Sequence, residues 1–250
     1  MSNVKDALDN VVTRIGSIEQ TGSTGKLNAN GSWVSLGTSI TWHDTHTSGY
    51  GITSGYQTLV RDKINFTNYE NRGVSSAIIT GGFNQINNAT IIPDYVTIEF
   101  GVNDFALGGV NWLGKMDDFV NDVYESGTST FYSVYRALIK SVYAKNPNAK
   151  IILCTPRKAD GGGTELGHFP EHWYTPKGTE PNLRYLKDYA DAVIEIGKYM
   201  SFPVCDWFNE CNTNDDNLAL YSRDAHLHPN DAGYKLMADV LIDTFRKIIN

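Results

Sequence analysis

From residue 32 onward, short apolar runs rich in β-branched and aromatic residues alternate with longer stretches of helical periodicity. The apolar runs predict strands over 32–37, 64–70, 94–101, 149–155 and 202–207. The stretches between and after them predict helices over about 50–63, 74–82, 128–146, 182–200 and 230–248. Because parallel strands need long crossover connections, and helices supply them, this alternation predicts an α/β fold: a parallel sheet with helices on both faces.

The first 30 residues have a different pattern. Apolar residues recur there at the alternating spacings of four and three that are typical of a coiled-coil core: Val4, Leu8, Val11, Ile15 and Ile18. Since only about two heptads are present, two interpretations stay open: a short coil that assembles a homo-oligomer, or an amphipathic helix docked on its own domain. The stretch TGSTGKLNANGS (21–32) has the composition of a linker. We expect an N-terminal segment over 1–30 and one domain over 31–250.

The charge of the chain disfavours two classes of partner. Its 21 Lys and Arg stand against 28 Asp and Glu, a formal net charge of −7, and no basic run exceeds two residues. Nucleic acids and anionic membranes both require clustered basic residues. No segment reaches the roughly 18 apolar residues of a membrane span, and MSNVKDALDNVV lacks the apolar core of a signal peptide. A cytoplasmic enzyme and a phage virion or tail component both fit this pattern.

Four short stretches carry polar groups at the ends of predicted strands or just before the last helix. They are Gly37-Thr38-Ser39-Ile40-Thr41, Asn71-Arg72-Gly73, Gly101-Val102-Asn103-Asp104 and Asp224-Ala225-His226-Leu227-His228-Pro229-Asn230. Loops at the carboxyl edge of an open α/β sheet converge on one crevice. Together they supply a serine hydroxyl, a histidine base, a carboxylate and N–H donors, which acyl transfer from an ester requires. Taken singly, each is also explained by helix caps and turns.

At these four stretches the sequence resembles the GDSL or SGNH hydrolase family, over residues 32 to about 248. The resemblance implies a flavodoxin-like three-layer α/β/α sandwich with a five-stranded parallel sheet. It also implies a serine esterase that forms a covalent acyl-enzyme and needs no cofactor. By this resemblance Ser39 is the nucleophile and His228 the base. The N–H groups of Ser39 and Gly73 and the side chain of Asn103 form the oxyanion hole.

The sequence departs from the family pattern at two positions. Thr38 stands where the family usually has Asp before the nucleophile, and Ala225 stands where it usually has the acidic partner, three residues before the histidine. Asp224 lies four residues before His228. Two arrangements therefore stay open: a triad in which the loop brings Asp224 to His228, or a dyad of serine and histidine. We predict the triad.

The substrate is less constrained by the sequence than the chemistry. Members of the family act on lipids, thioesters and acetylated carbohydrates. Rings that can stack on sugars occur in long insertions and beside the base: Trp112, His172, Trp173, Tyr174 and His226. Because no long apolar lid is visible, we predict a small acyl group, acetyl above all, on a small molecule or a polysaccharide.

Two other classes of function remain open at this point. His43, Asp44 and His46 in one loop, together with Asp224, His226 and His228 in another, could supply N and O ligands for a metal-dependent hydrolase. A non-catalytic carbohydrate-binding module is the third interpretation, and it would follow if the changes at positions 38 and 225 disabled the site.

Overall fold

The computed structural model describes residues 26–109, 111–160, 178, 183–224 and 226–249. The strands within these residues are β1 (Leu27–Asn28), β2 (Trp33–Gly37), β3 (Ile64–Asn65), β4 (Tyr69–Asn71), β5 (Tyr95–Glu99), β6 (Lys150–Cys154) and β7 (Val204–Cys205). The α-helices are α1 (Ser39–Trp42), α2 (Tyr56–Arg61), α3 (Gly81–Asn87), α4 (Val102–Leu107), α5 (Met116–Val120), α6 (Phe131–Lys145), α7 (Leu186–Met200), α8 (Trp207–Glu210) and α9 (Asp231–Arg246). Short 3-10 helices lie at His43–Thr45, Val123–Ser126 and Leu218–Tyr221.

Several predicted features lie outside the described residues. The heptad positions of the N-terminal segment are among them, and so are His172, Trp173, Tyr174 and Ala225.

The main sheet has five parallel strands. They lie side by side in the order β4, β2, β5, β6 and β7, with Gly37 paired to Glu99 and Glu99 paired to Cys154. β1 and β3 form a separate parallel pair. The predicted α/β fold with a five-stranded parallel sheet is confirmed.

Alternate residues of the strands face two separate apolar cores. On one face, Val34 and Leu36 of β2 pack in a cluster with residues of α3, α6 and α7. On the other face, Trp33 packs in a cluster with residues of α2 and α9. Since successive side chains of a strand point to opposite faces, this alternation builds the three layers of helix, sheet and helix.

The strand predicted over 64–70 is two strands in the structure. β3 pairs with β1, whereas β4 pairs with β2. Between them the Thr67 N–H donates to Gly31 O at 2.8 Å, and the Trp33 N–H donates to Asn68 O at 2.9 Å. The apolar pattern continues through this crossing from one strand pair to the other, so the pattern alone predicts one strand.

The helix predicted over 74–82 is wrong, because α3 begins only at Gly81. Ser76 has a φ of +62°, a left-handed conformation that interrupts a helix. The Ile79 N–H donates to Asp104 Oδ1 at 3.1 Å. Because the Ile79 N–H bonds this side chain of α4, it does not form the backbone hydrogen bond of a helix, and the chain stays irregular there.

The helix predicted from residue 50 begins at Tyr56, after Gly49 and Gly51 with φ values of +92° and +64°. The other predicted helices correspond to α6, α7 and α9 apart from their ends. Of the helices described, none has both the length and the apolar character needed to span a bilayer.

Candidate active site

Ser39, Gly73 and Asn103 follow three neighbouring strands at the carboxyl edge of the sheet. β2, which precedes Ser39, lies between β4 and β5, which precede Gly73 and Asn103. Because the strands are parallel, all three residues emerge at the same edge. His228 reaches Ser39 from the loop before α9.

Ser39 is the first residue of the short helix α1, and it is not the helix N-cap. Thr38 has extended backbone angles, and its Oγ1 accepts a hydrogen bond from the Ile40 N–H at 3.3 Å. This leaves the Ser39 hydroxyl for another partner: Oγ lies 3.1 Å from His228 Nε2. The simple capping explanation of Ser39 therefore applies to its neighbour instead.

Asp224 completes a hydrogen-bonded chain with His228 and Ser39. Its Oδ2 lies 2.7 Å from His228 Nδ1, on the side of the ring that faces away from Ser39. The structure therefore brings together the three residues of the predicted triad, and Asp224 reaches the ring from four residues before it. His228 contacts both Asp224 and Ser39, so the arrangement is that of a triad and not that of a dyad.

The loop from 224 to 228 wraps around the carboxylate of Asp224. Oδ1 accepts the backbone N–H of His226 at 3.1 Å, of Leu227 at 2.8 Å and of His228 at 3.0 Å. Burial raises the pKa of this carboxyl, but the hydrogen bond and charge of His228 and these N–H donors outweigh burial. The pKa of Asp224 is therefore held well below its usual range, and the carboxylate stays ionised.

The side chain of Arg157 stabilises this loop from the interior of the protein. Its side chain is almost fully buried, and Nη1 donates to Ser222 Oγ and to Leu227 O, both at 3.1 Å. A backbone bridge between Ser222 and Pro229 closes the two ends of the loop. Sequence reasoning missed Arg157. The available signal was its position, three residues after the apolar run of β6.

Glu99 fixes the nucleophile loop from within the core. This fully buried carboxyl accepts hydrogen bonds at Oε2 from the Thr38 N–H at 2.9 Å, the Thr38 hydroxyl at 2.8 Å and the Thr41 hydroxyl at 3.1 Å. Burial raises the pKa of Glu99 to about 7, although these hydrogen bonds lower it in part. Thr38 and Glu99 form a donor–acceptor pair where an Asp at 38 would set two carboxylates together. Glu99, a lone acid in an apolar strand, was also missed.

Gly73 lies against the first turn of α1. A Cβ at this position would lie 2.5 Å from Trp42 N and 2.7 Å from Thr41 Cγ2, so only glycine fits. Its N–H donates to Asn71 Oδ1 at 2.9 Å. To stabilise an oxyanion as well, the Gly73 N–H has to form a bifurcated hydrogen bond to Asn71 Oδ1 and the oxyanion, or give up its bond to Asn71.

Asn103 stands near the start of α4 and is partly exposed. Its Nδ2 donates to Ala77 O at 2.9 Å, and an amide nitrogen carries a second hydrogen that can donate elsewhere. The next residue, Asp104, anchors the helix: it accepts from the N–H of Gly101 and from the indole of Trp112 at 3.0 Å. The side chain of Asn103 is thus held in place while keeping one donor for a ligand.

Comparison with known sequences gives a matching family. The sequence model of the GDSL-like lipase/acylhydrolase family matches residues 35–236, which include Ser39, Gly73, Asn103, Asp224 and His228. This chain belongs to the GDSL-like lipase/acylhydrolase family. As a GDSL-like acylhydrolase it is an ester hydrolase, as the sequence predicted. Comparison with curated proteins gives no match.

Solved structures share the fold of this GDSL-like hydrolase. A possible lipase from Chitinophaga pinensis is 25% identical with a TM-score of 0.68, over 88% of this chain and 99% of that one. A lipase/acylhydrolase from Enterococcus faecalis is 18% identical with a TM-score of 0.55, over 88% and 97%. A variant of an acetyl-xylooligosaccharide esterase from Geobacillus is 18% identical with a TM-score of 0.53, over 88% and 96%.

The two imidazole loops of this GDSL-like hydrolase do not form the ligand set that the metal alternative needs. His43 is buried, and its Nδ1 lies 3.0 Å from Tyr234 Oη. His46 stacks on Trp42 with ring centroids 3.7 Å apart. In the part of the chain that the structure describes, no three His, Cys, Asp or Glu side chains are placed to hold a metal ion.

Two of the predicted substrate-binding residues can be placed. Trp112 is partly buried, and its indole is engaged by Asp104, which favours an anchoring role for this ring. His226 is partly exposed on the loop of Asp224, with its Nδ1 3.9 Å from Asp160 Oδ2. It does not contact Ser39 Oγ, so it is placed for the rim of the site. Contact of either residue with substrate stays a prediction.

Proposed function

We propose that this GDSL-like hydrolase is a serine esterase that removes small acyl groups, acetyl above all, from a carbohydrate through a covalent acyl-enzyme. The observation that carries the proposal is the continuous hydrogen-bonded chain. Ser39 Oγ lies 3.1 Å from His228 Nε2, and His228 Nδ1 lies 2.7 Å from Asp224 Oδ2. A serine hydroxyl becomes a nucleophile when a histidine can take its proton.

In the first half of the reaction, His228 Nε2 accepts the hydroxyl proton as Ser39 Oγ bonds to the ester carbonyl carbon. The carbonyl oxygen becomes an oxyanion, which accepts hydrogen bonds from the Ser39 N–H, the Gly73 N–H and the Asn103 amide. His228 then donates its proton to the leaving alcohol oxygen, and the carbon–oxygen bond of the ester breaks. The acyl group stays on Ser39, and the alcohol departs.

In the second half, a water molecule gives a proton to His228 Nε2 and bonds to the acyl carbon. Collapse of the second tetrahedral intermediate returns the proton to Ser39 Oγ and releases the carboxylic acid. Asp224 stays ionised throughout, because its low pKa keeps it a carboxylate. It fixes the ring with Nδ1 protonated and stabilises the imidazolium that forms twice per turnover.

Two observations support the acetyl group and the carbohydrate. The fold is shared with an acetyl-xylooligosaccharide esterase, at 18% identity. The rings of His46 and Tyr50 each contact Trp42, and Tyr50 also contacts His43, whose ring is 4.9 Å from that of His228. Trp and Tyr rings are surfaces on which sugars stack. These features favour a sugar carrier over a lipid.

The test begins with Ser39. The wild type is expected to hydrolyse p-nitrophenyl acetate faster than p-nitrophenyl octanoate and to release acetate from acetylated xylooligosaccharides. Ser39→Ala should lower turnover by roughly four to six orders of magnitude, whereas the exposed Ser126→Ala should have no effect. A fluorophosphonate should add its mass to the wild type and not to Ser39→Ala. Full activity of Ser39→Ala, or activity that a chelator abolishes, would contradict the proposal.

A further inference from the structure

Arg223 lies on the loop that carries the proposed base, His228. Its backbone N–H donates to His228 O at 2.8 Å. Its guanidinium turns toward the loop after α1: Nη2 lies 3.5 Å from His43 Nε2, and Cζ lies 4.7 Å from the centroid of the Tyr50 ring. The His43 ring is in turn 4.9 Å from the His228 ring. His43 therefore lies between the guanidinium of Arg223 and the ring of His228.

Among the residues that the structure describes, no acid forms an ion pair with Arg223. Within the described ranges, no carboxylate oxygen lies within the 4.0 Å of an ion pair from its nitrogens. Asp224, the adjacent acid, uses its two oxygens for His228 and for three backbone N–H groups. Nε of Arg223 is buried and has no hydrogen-bond partner among the described side chains and backbone. A guanidinium in this state attracts an anion, and its planar donors match a carboxylate.

His43 does not reduce this charge. Tyr234 Oη donates its hydrogen to Ile40 O at 3.1 Å, so Nδ1 of His43 has to donate to Tyr234 Oη, 3.0 Å away. Nε2 then carries a lone pair and faces Arg223. Burial, with the charges of His228 and Arg223, lowers the pKa of His43 to about 3, which keeps the ring neutral. His43 thus orients the guanidinium and leaves its charge available to a ligand.

The position of Arg223 also decides which part of an ester it meets. His228 Nε2 protonates the leaving oxygen, so the alcohol part of the ester lies on the histidine side. The carbonyl oxygen points instead toward Gly73 and Asn103, which follow β4 and β5. A group that binds Arg223 is therefore carried by the alcohol part and not by the acyl group.

We propose that Arg223 is a specificity-determining residue that binds a carboxylate on the alcohol part of the substrate. The preferred substrates are then acetyl esters of a carboxylate-bearing sugar, such as a uronic acid unit of a polysaccharide. This inference rests on the proposed esterase function. It adds the chemical class of the sugar.

The test compares two matched esters, an O-acetylated methyl glucuronoside and the methyl glucoside acetylated at the same oxygen. The wild type should show a kcat/KM ratio of about tenfold or more in favour of the acid, chiefly through KM, since a remote carboxylate is bound equally in ground state and transition state. Arg223→Gln should bring the ratio close to one. Arg223→Lys should give an intermediate ratio, because it keeps the charge and loses the planar donors.

Arg61 offers a matched control. Its Cζ also lies 4.7 Å from a tyrosine ring, that of Tyr69, and it is exposed at the end of α2, at the opposite edge of the sheet. Arg61→Gln removes one positive charge from the molecule, as Arg223→Gln does, and should leave the ratio unchanged. If Arg223 only stabilised the loop by stacking on Tyr50, its substitution would lower the melting temperature and leave the ratio unchanged.

The outcomes separate the two proposals. A wild type that is active on p-nitrophenyl acetate and shows no preference for the acid overturns the role of Arg223 and leaves the esterase function in place. The preference in the wild type is measured without any variant, so misfolding of Arg223→Gln cannot hide that result. A wild type that hydrolyses none of these acetates overturns both proposals.

Discussion

Asp224 acts on His228 in two ways. Its Oδ2 bonds the imidazole, while its Oδ1 gathers three successive backbone N–H groups, one of them that of His228 itself. One carboxylate therefore orients the ring and also shapes the loop that carries it. This double contact explains how an acid four residues before the histidine replaces one three residues before it.

Substitution of Asp224 by Asn tests the first of these contacts. The Asn side chain keeps the size of Asp224 but loses the charge that stabilises the imidazolium, so turnover should fall by roughly a hundredfold to ten-thousandfold. Steady-state hydrolysis of p-nitrophenyl acetate measures the loss. His226→Ala, on the same loop, should cost less than about tenfold, since its ring does not contact Ser39. A larger loss in His226→Ala than in Asp224→Asn would contradict this assignment.

Asn103 tests the oxyanion hole independently. Removing its amide in Asn103→Ala should lower kcat by roughly a hundredfold to a thousandfold with little change in KM, as expected for one donor that acts on the transition state. Stopped-flow or steady-state kinetics on a chromogenic acetate would show this. An unchanged kcat would mean that the amide serves only to hold Ala77.

At the scale of the element, α1 is short, and its start is fixed by side chains rather than by its own backbone hydrogen bonds. Thr38 caps it, and Glu99 of the neighbouring strand β5 binds Thr38 and Thr41 on either side of Ser39. Tyr56 of α2 adds a further hydrogen bond to Thr41 at 2.8 Å. The backbone around Ser39 is thus held by a buried polar network of Thr38, Thr41, Glu99 and Tyr56.

The buried carboxyl of Glu99 makes the stability of the fold depend on pH. Burial raises the pKa of Glu99 from 4.5 to about 7, so the folded state holds this proton more tightly than the unfolded chain. Its contribution is fully present below pH 4.5 and is lost as the pH rises through 7. In Glu99→Gln, the fall in the free energy of unfolding over this range should be less steep by up to about 1.4 kcal/mol per pH unit.

Urea unfolding of wild type and Glu99→Gln at half-unit steps from about pH 5 to pH 8 would measure this difference. Asp104, whose pKa burial raises to about 6, contributes in the same direction in both proteins. Because the charge of Asp104 also raises the pKa of Glu99, the measured difference includes the interaction between the two carboxyls. Glu125→Gln, which removes an exposed carboxyl, is the matched control. Equal slopes in all three proteins would show that Glu99 is not protonated in this range.

The sequence predicted the sheet and the order of the four site blocks because both depend on local patterns. Val34, Leu36 and Trp33 alternate between two cores, and the motif residues stand at strand ends. How Asp224 reaches His228 depends on three backbone hydrogen bonds within a loop, and no spacing specifies them. The helix predicted over 74–82 failed for a related reason, since Asp104 bonds a backbone N–H of that segment. Glu99 and Arg157 were missed because a single charged residue has no pattern.

At the scale of the whole molecule, the N-terminal segment is the part most easily removed. Leu27 and Ala29 donate backbone hydrogen bonds to Lys63 and Asn65, so a deletion that spares the domain has to end before them. Removal of residues 1–25 should leave activity on small esters unchanged, because every proposed catalytic residue lies beyond it. If the heptads assemble a homo-oligomer, light scattering should show a smaller species. If the number of chains per particle is the same before and after the deletion, the docked helix is favoured.

The hydrogen bond between Ser39 and His228 joins residues 189 positions apart, whereas Asp224 and His228 share one loop. The acid and base can therefore pair as soon as their loop exists, but the nucleophile meets them only when α9 has docked beside α2. A nascent chain on the ribosome contains Ser39 long before His228 is synthesised, and under the proposed mechanism we expect it to be inert toward esters. The proposed mechanism therefore predicts that hydrolysis begins only when translation has passed His228 and the last helix has packed, so that the onset of activity reports the completion of folding.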